Sequence, residues 1–245
     1  MFDLGGNLQC SIFLDASRIS PTTDTIATYL APLAVKGFIP YTFQEILPGN
    51  PGPLNRLGFQ SLDKEWTINL TSQRIDIERN PVNDGKNLND HVDFAKQVSN
   101  FFAEVLPLVN MKGHRISFSG NGLLGEMDEG ELTDVYKKVI NPIPLYARGA
   151  FEWDSRSARH VDVEFNGKQE TCNIITMVNR VNGEIQNQDG TRDINRIQIK
   201  FDFNTIPDAT ESRFTQEDVA PFLEIGIDMI TRLLGEVEDT YTKND

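Results

Sequence analysis

Apolar residues along this 245-residue chain alternate with polar ones in short runs and recur every three or four positions in longer ones. The run LQCSIFLDA, 8–16, predicts a mostly apolar first strand. A helix follows, with Thr22 or Thr23 as cap, Gly37 at its end and Pro32 kinking or shortening it. Ile26, Leu30, Leu33 and Ala34 share its face. After a turn-rich loop at 47–55, alternation gives strands in RLGFQSLD, EWTINLTS and RIDIERN. Asp90 then heads a helix whose stripe is Val92, Ala95, Val98, Phe102 and Val105, with Phe101 beside it.

HRISFS reads as another strand, and a short helix at about 130–139 precedes NPIPLY, which Pro142 and Pro144 hold extended. That stretch is the best internal boundary. Beyond it GAFEWD, RHVDVEFNG, ETCNIITMVNRV and INRIQIKFDFNT read as strands, with Asn166-Gly167 as a hairpin turn. The last helix starts at TQED, where Thr215 and Asp218 approach a capping box. Val219, Phe222, Leu223, Gly226, Ile227, Ile230 and Leu234 form its apolar face, and the tail from 238 frays.

These elements predict an α+β fold in two similar lobes, each a curved antiparallel sheet with one long amphipathic helix. IDIERNP and its following helix resemble FDFNTIP and the last helix, with Asp76 and Asp202 in matching places. The lobes would be 1–141 and 142–245, or both would form one continuous domain.

Composition narrows the function. With 23 basic and 36 acidic residues the formal net charge is −13, which repels phosphate backbones and acidic membrane surfaces. The cations are scattered, so neither a nucleic acid nor a membrane is an expected partner. Hydrophobic content of 39% is that of an ordinary folded protein. Cys10 and Cys172 lie in strand-like segments as small buried hydrophobes. MFDLGGNLQC has no basic region or apolar core of a signal peptide, and no apolar run nears the roughly 18 residues of a membrane helix. A cytoplasmic location is expected.

Gly120, Gly122 and Gly125 spell G-x-G-x-x-G after a strand. In a dinucleotide fold a helix starts inside that motif and its amides face the pyrophosphate. Here Glu126, Asp128, Glu129 and Glu131 crowd the helix start and would repel a diphosphate. The glycines are expected to supply positive φ in a strand-to-helix turn, and the acids to favour the next helix's first turn. No cofactor is expected. Asp76, Asp162, Glu164 and Asp202 sit on strands, either on a solvated face or, less simply, as a metal or acid/base cluster. His91, His114 and His160 show no metal-ligand spacing, and no catalytic or metal residue is assigned. Arg115, Arg196 and Lys200 lie on or beside strands. They either form a small anion-binding patch or pair with neighbouring acids.

The segments LGFQSLDKEWTINLT, FAKQVSNFFAEV, HRISFSGN and IKFDFN, in this order, resemble a sporadically distributed family of uncharacterised bacterial proteins of about this length. That family carries an R-I-G-L-R-Y-I-N strand, whose ends Arg115 and Asn121 match with the segment one residue short. Ser119 stands where a second arginine is usual. The family brings no agreed activity, and the resemblance implies the same α+β fold.

The function expected is a non-catalytic binding or assembly component of a bacterial multi-protein system, with a protein partner or self-association. The alternative is a sensor or enzyme for a small anionic metabolite or nucleotide. Arg115, Arg196, Lys200, Asp76 and Asp202 would then line a groove between sheet and helices.

Overall fold

The computed structural model of the protein describes residues 2–82, 85–187 and 190–241. Among the described residues nine strands and four α-helices follow one another. They are β1 (Leu4–Phe13), α1 (Thr23–Ala34), β2 (Phe38–Glu45), β3 (Leu54–Ser61), β4 (Trp66–Leu70), β5 (Arg74–Arg79) and α2 (His91–Val109). Then come β6 (Arg115–Leu123), α3 (Glu129–Ile140), β7 (Asp154–Phe165), β8 (Lys168–Asn187), β9 (Gly190–Thr205) and α4 (Gln216–Tyr241). The fold is α+β, and all nine strands join one antiparallel sheet of order β2-β3-β4-β5-β1-β6-β9-β8-β7. No helix among the described residues is long and apolar enough to cross a membrane.

Strand alternation sends one set of side chains to the helices. Cys10, Ile12, Ile75, Ile77, Ile116, Phe118, Phe201 and Phe203 are all at most 2% exposed on that face. α2 and α4 pack on each other and on the middle strands. Phe94 of α2 meets Phe118, and Phe222 of α4 stacks on Phe203. α1 reaches β2 and α2, and α3 reaches α4, so the helices share one side of the sheet. Gly226 brings α4 close: a Cβ there would lie 2.9 Å from the Phe203 ring and 3.2 Å from Phe118. Both cysteines are free and buried on this face, and burial pushes the Cys172 thiol up to about 12.

Local signals explain the element ends. Thr22 caps α1, whose course ends two residues past Pro32. Asp90 caps α2 by accepting from the Asp93 amide, and Asn110 ends it at φ 54°. Asp128 and Glu131 form a full capping box on α3, which gives the acidic run its role. At the start of α4, Asp218 accepts from the Thr215 amide, from Asn166 and from Lys168, and is itself fully buried. Burial pushes its carboxyl up, but hydrogen bonds from Lys168, the Thr215 amide and Asn166, with the Lys168 charge, hold it below its usual range. Asn166 and Gly167, with φ of 49° and 70°, make the expected hairpin turn between β7 and β8.

Three expectations change. Gly120 and Gly122 lie inside β6 without positive φ, and Gly125 has none either. Their role is close approach: a Cβ at 120 would sit 2.7 Å from Leu8 and Phe201, and one at 122 would sit 2.2 Å from Phe2. GAFEWD is not a strand; the backbone turns at Gly149 (φ 113°) and β7 begins at Asp154. β7 is an edge strand with its first half exposed on both faces, so it has no alternation to read. The other edge, β2, carries Pro40, which an edge tolerates because its missing N–H faces no neighbour. On α2, Val92 is 77% exposed, and Phe94 takes the core position instead. The tail beyond 241 lies outside the described residues.

His91 opens α2 with only 7% of its surface exposed. Burial lowers its pKa, against the pull of Asp90. Its neutral form therefore contributes stability above pH 6.5 that is lost as pH falls through the folded value. Urea titrations from pH 7 to pH 5 should show stability dropping with acid, by at most about 1.4 kcal/mol per pH unit for one proton. His91→Gln should flatten that drop. An unchanged slope would place the acid sensitivity elsewhere.

Candidate functional site: the helix-free face of the sheet

The opposite face of the sheet carries the second set of side chains, and no helix among the described residues covers it. Cross-strand register lines them up in rows. One row crosses all nine strands: Tyr41 faces Gly58, Gly58 faces Asn69 and Asn69 faces Asp76. The row continues from Asp76 to Ser11, Ser117, Asn204, Asn173 and His160. Tyr41 spans Gly58, where any Cβ would touch its ring, and donates to Asn69 Oδ1 at 2.5 Å. The middle of the row is closed over by its long neighbours: Ser11 is 1% exposed, Asp76 6%, Ser117 8% and Asn204 0%. Such burial of polar groups demands partners.

Asp76 has them. Ser11 donates to it at 2.6 Å, Gln9 at 3.2 Å and the Arg74 Nε at 2.9 Å. Burial raises its pKa all the same, opposed by those three groups. Asp202, in the next row, faces Ser119 across β6. Burial raises its pKa too; Asn204, Arg115 and Arg156 oppose. The Asn204 amide is near enough to lower that pKa without completing a well-formed hydrogen bond, because Asp202 Oδ1 and Asn204 Nδ2 are both buried without a partner. Asn204 cannot be turned over to relieve this, since its Oδ1 already accepts from Arg115 Nη2 at 2.9 Å and Asn173 at 3.0 Å. Arg115 Nε is a third unpartnered atom. Three of the four such side-chain atoms among the described residues therefore gather in one patch.

On the other side of the first row, Phe13 of β1 lies between Arg74 of β5 and Arg115 of β6, each in direct cross-strand register with it. The Arg115 guanidinium sits 4.6 Å from the ring centre and that of Arg74 5.7 Å. Arg74 is ion-paired with Asp76; Arg115 has no ion pair among the described residues. Phe13 also lines a groove of about 850 Å³. Its other walls are Leu14, Asp15, Ser17, the 47–50 loop, Leu54, Ser72, Gln73 and His114. That volume lies within the range of small-molecule sites. His114 is held below its usual pKa by burial and by the charges of Arg213 and Arg115, so it is neutral at pH 7.

Of the sequence-predicted residues, the structure puts Arg115, Asp76 and Asp202 together on this face, with Lys200 exposed two positions beyond Asp202 on β9. Any site they form is on this face rather than between sheet and helices. Arg196 is elsewhere: it is 2% exposed, pairs with Asp3 and Glu126, and donates to the Leu124 carbonyl, tying the first residues to the β6–α3 connection. Asp162 and Glu164 lie on edge strand β7 and bond Thr171 and Gln169. Among the described residues no three His, Cys, Asp or Glu converge as a metal site. Phe13, Arg74, Ser117 and Asn204 were not anticipated. Ser117 carries a local signal, a polar position between apolar ones in ISFS, whereas Phe13, Arg74 and Asn204 join the face only through cross-strand register.

Compared with protein-family models, curated proteins and solved structures, the chain matches none.

Proposed function

We propose that the chain is a non-catalytic binding or assembly component that recognises a protein partner, or a second copy of itself, with the helix-free face of its sheet. The observation that carries this is the gathering of Arg115 Nε, Asp202 Oδ1 and Asn204 Nδ2, buried and unpartnered, on a face no helix covers. Unpaired buried groups cost stability, and a fold keeps them where something else completes them. Nine strands at about 4.8 Å spacing give a face roughly 40 Å wide, enough for the ~800 Å² per partner of a specific interface. The resemblance to the bacterial family and the acidic composition fit an accessory subunit in a bacterial cytoplasm.

We also read the sheet as two similar lobes about the central β1–β6 pair, the second beginning at β6 rather than at 142. Asp76 faces Ser11 and Asp202 faces Ser119, while Ser11 faces Ser117 and Gln9 faces Ser119. The same pairing thus recurs on both sides of a local two-fold. A second reading, a sensor of a small anionic ligand, is favoured by the groove beside Phe13.

Light scattering on the purified chain and affinity capture from its native extract test the first reading. The native chain should form a dimer or retain one stoichiometric partner. Ser119→Arg, on the face, should abolish that assembly; Arg232→Glu, on exposed α4, should not. An assembly indifferent to Ser119→Arg, or a solitary monomer with measurable turnover, would remove it.

A further inference from the structure

The geometry points to an organic-anion site at the Phe13 end of the helix-free face, taking a carboxylate or phosphate carried on a flat apolar body. This rests on reading that face as a binding surface, and it adds the ligand's chemical class. The groove supplies the apolar part through Phe13, Leu14, Leu47, Pro48 and Leu54 on its wall. The charge comes from the Arg74–Phe13–Arg115 row at its edge.

Two acids lie near the groove, each beside cations of its own: Glu45 is paired with Arg56, and Asp15, which lines the wall, lies in the fields of Arg18 and Arg56. Asp15 accepts both the N–H and the hydroxyl of Ser17. Glu45 accepts the N–H and hydroxyl of Ser72 and pairs with Arg56. Arg115 is the cation left over, with one donor on Asn204 and Nε unpartnered. Its planar fork, stacked on an aromatic ring, suits a carboxylate or phosphate, whose own flat body can extend along Phe13 into the groove. His114, neutral and 6.4 Å from Phe13, faces the same space and reports on any charge that enters it.

Titrating the full chain with phenylacetate, phenyl phosphate and neutral phenylacetamide, followed by calorimetry and by the His114 imidazole NMR signals, tests this. Saturable binding of at least one anion is expected, with a rise in the His114 pKa, while the amide binds about tenfold more weakly or not at all. Tighter binding of phenyl phosphate would assign the site to phosphates, and tighter binding of phenylacetate to carboxylates; both support it. Arg115→Met keeps an apolar stem over Phe13 and should weaken anion binding at least about tenfold. Leu47→Trp, which fills the groove from its loop, should do the same without touching the arginines. Equal affinity for the amide, no binding of either anion, or full affinity in both variants would overturn the site. Partner capture through the sheet face would survive that failure, so the two readings fall separately.

Discussion

Phe118→Ala is expected to lower the unfolding free energy by about 3–5 kcal/mol, the range for removing a buried phenyl ring from a core that cannot collapse around the gap. Phe118 is fully buried on β6, in the centre of the sheet. Its ring lies 5.5 Å from that of Phe94 on α2 and 5.3 Å from that of Phe201 on β9. Gly226 brings α4 against it from above. Two long helices and two strands thus meet on this one side chain, and no neighbour is free to fill the gap. Urea unfolding at pH 7 measures the loss, and Phe118→Leu should recover most of it. A loss under about 1 kcal/mol would mean that the helices do not seat on β6.

Gly120→Val is the second large effect, at about 2–3 kcal/mol. Here the added atoms meet Leu8 and Phe201 side chains at 2.7 Å and the Asn7 carbonyl oxygen at 2.9 Å. A rotamer change cannot move that carbonyl, because Asn7 is paired with β6 in the sheet. The result also separates two explanations of the G-x-G-x-x-G spacing. A glycine held open for a pyrophosphate would leave the stability of the free chain nearly unchanged when replaced. A glycine required by strand packing would not. Scanning calorimetry of the variant without any ligand distinguishes them, and unchanged stability would reopen the question of a phosphate loop.

Much of the fold was legible because local chemistry and packing agree. The α4 stripe from Val219 to Leu234 and the Asp90 cap could be read directly, as could the Asn166-Gly167 turn. The edge strands could not. The first half of β7 faces water on both sides, so burial imposes no alternation on it, and β2 buries only Phe38 deeply and carries Pro40. The candidate site was half legible. Asp76, Asp202 and Arg115 stood out as charges on strands, but what joins them is register. Arg74 and Arg115 are far apart in sequence and meet only because both pair with Phe13. Arg196 was misplaced for the opposite reason. Its partners Asp3 and Glu126 are distant along the chain, so nothing local marked it as a structural clamp.

Whether the helix-free face is kept for binding rather than for folding is decided most directly by the urea-unfolding free energy of Asp202→Asn at pH 7. Burial raises the Asp202 pKa in the folded chain, against the pull of Asn204, Arg115 and Arg156. The stability linked to this group is therefore fully present below the ordinary value of 3.8 and is lost as pH rises through the folded value. At pH 7 the carboxylate opposes folding, so the variant should be more stable than the parent, with the difference shrinking as pH falls through the folded value and gone below 3.8. A variant less stable than the parent at pH 7 would show that the charge holds the sheet together, and would contradict a face kept for a partner.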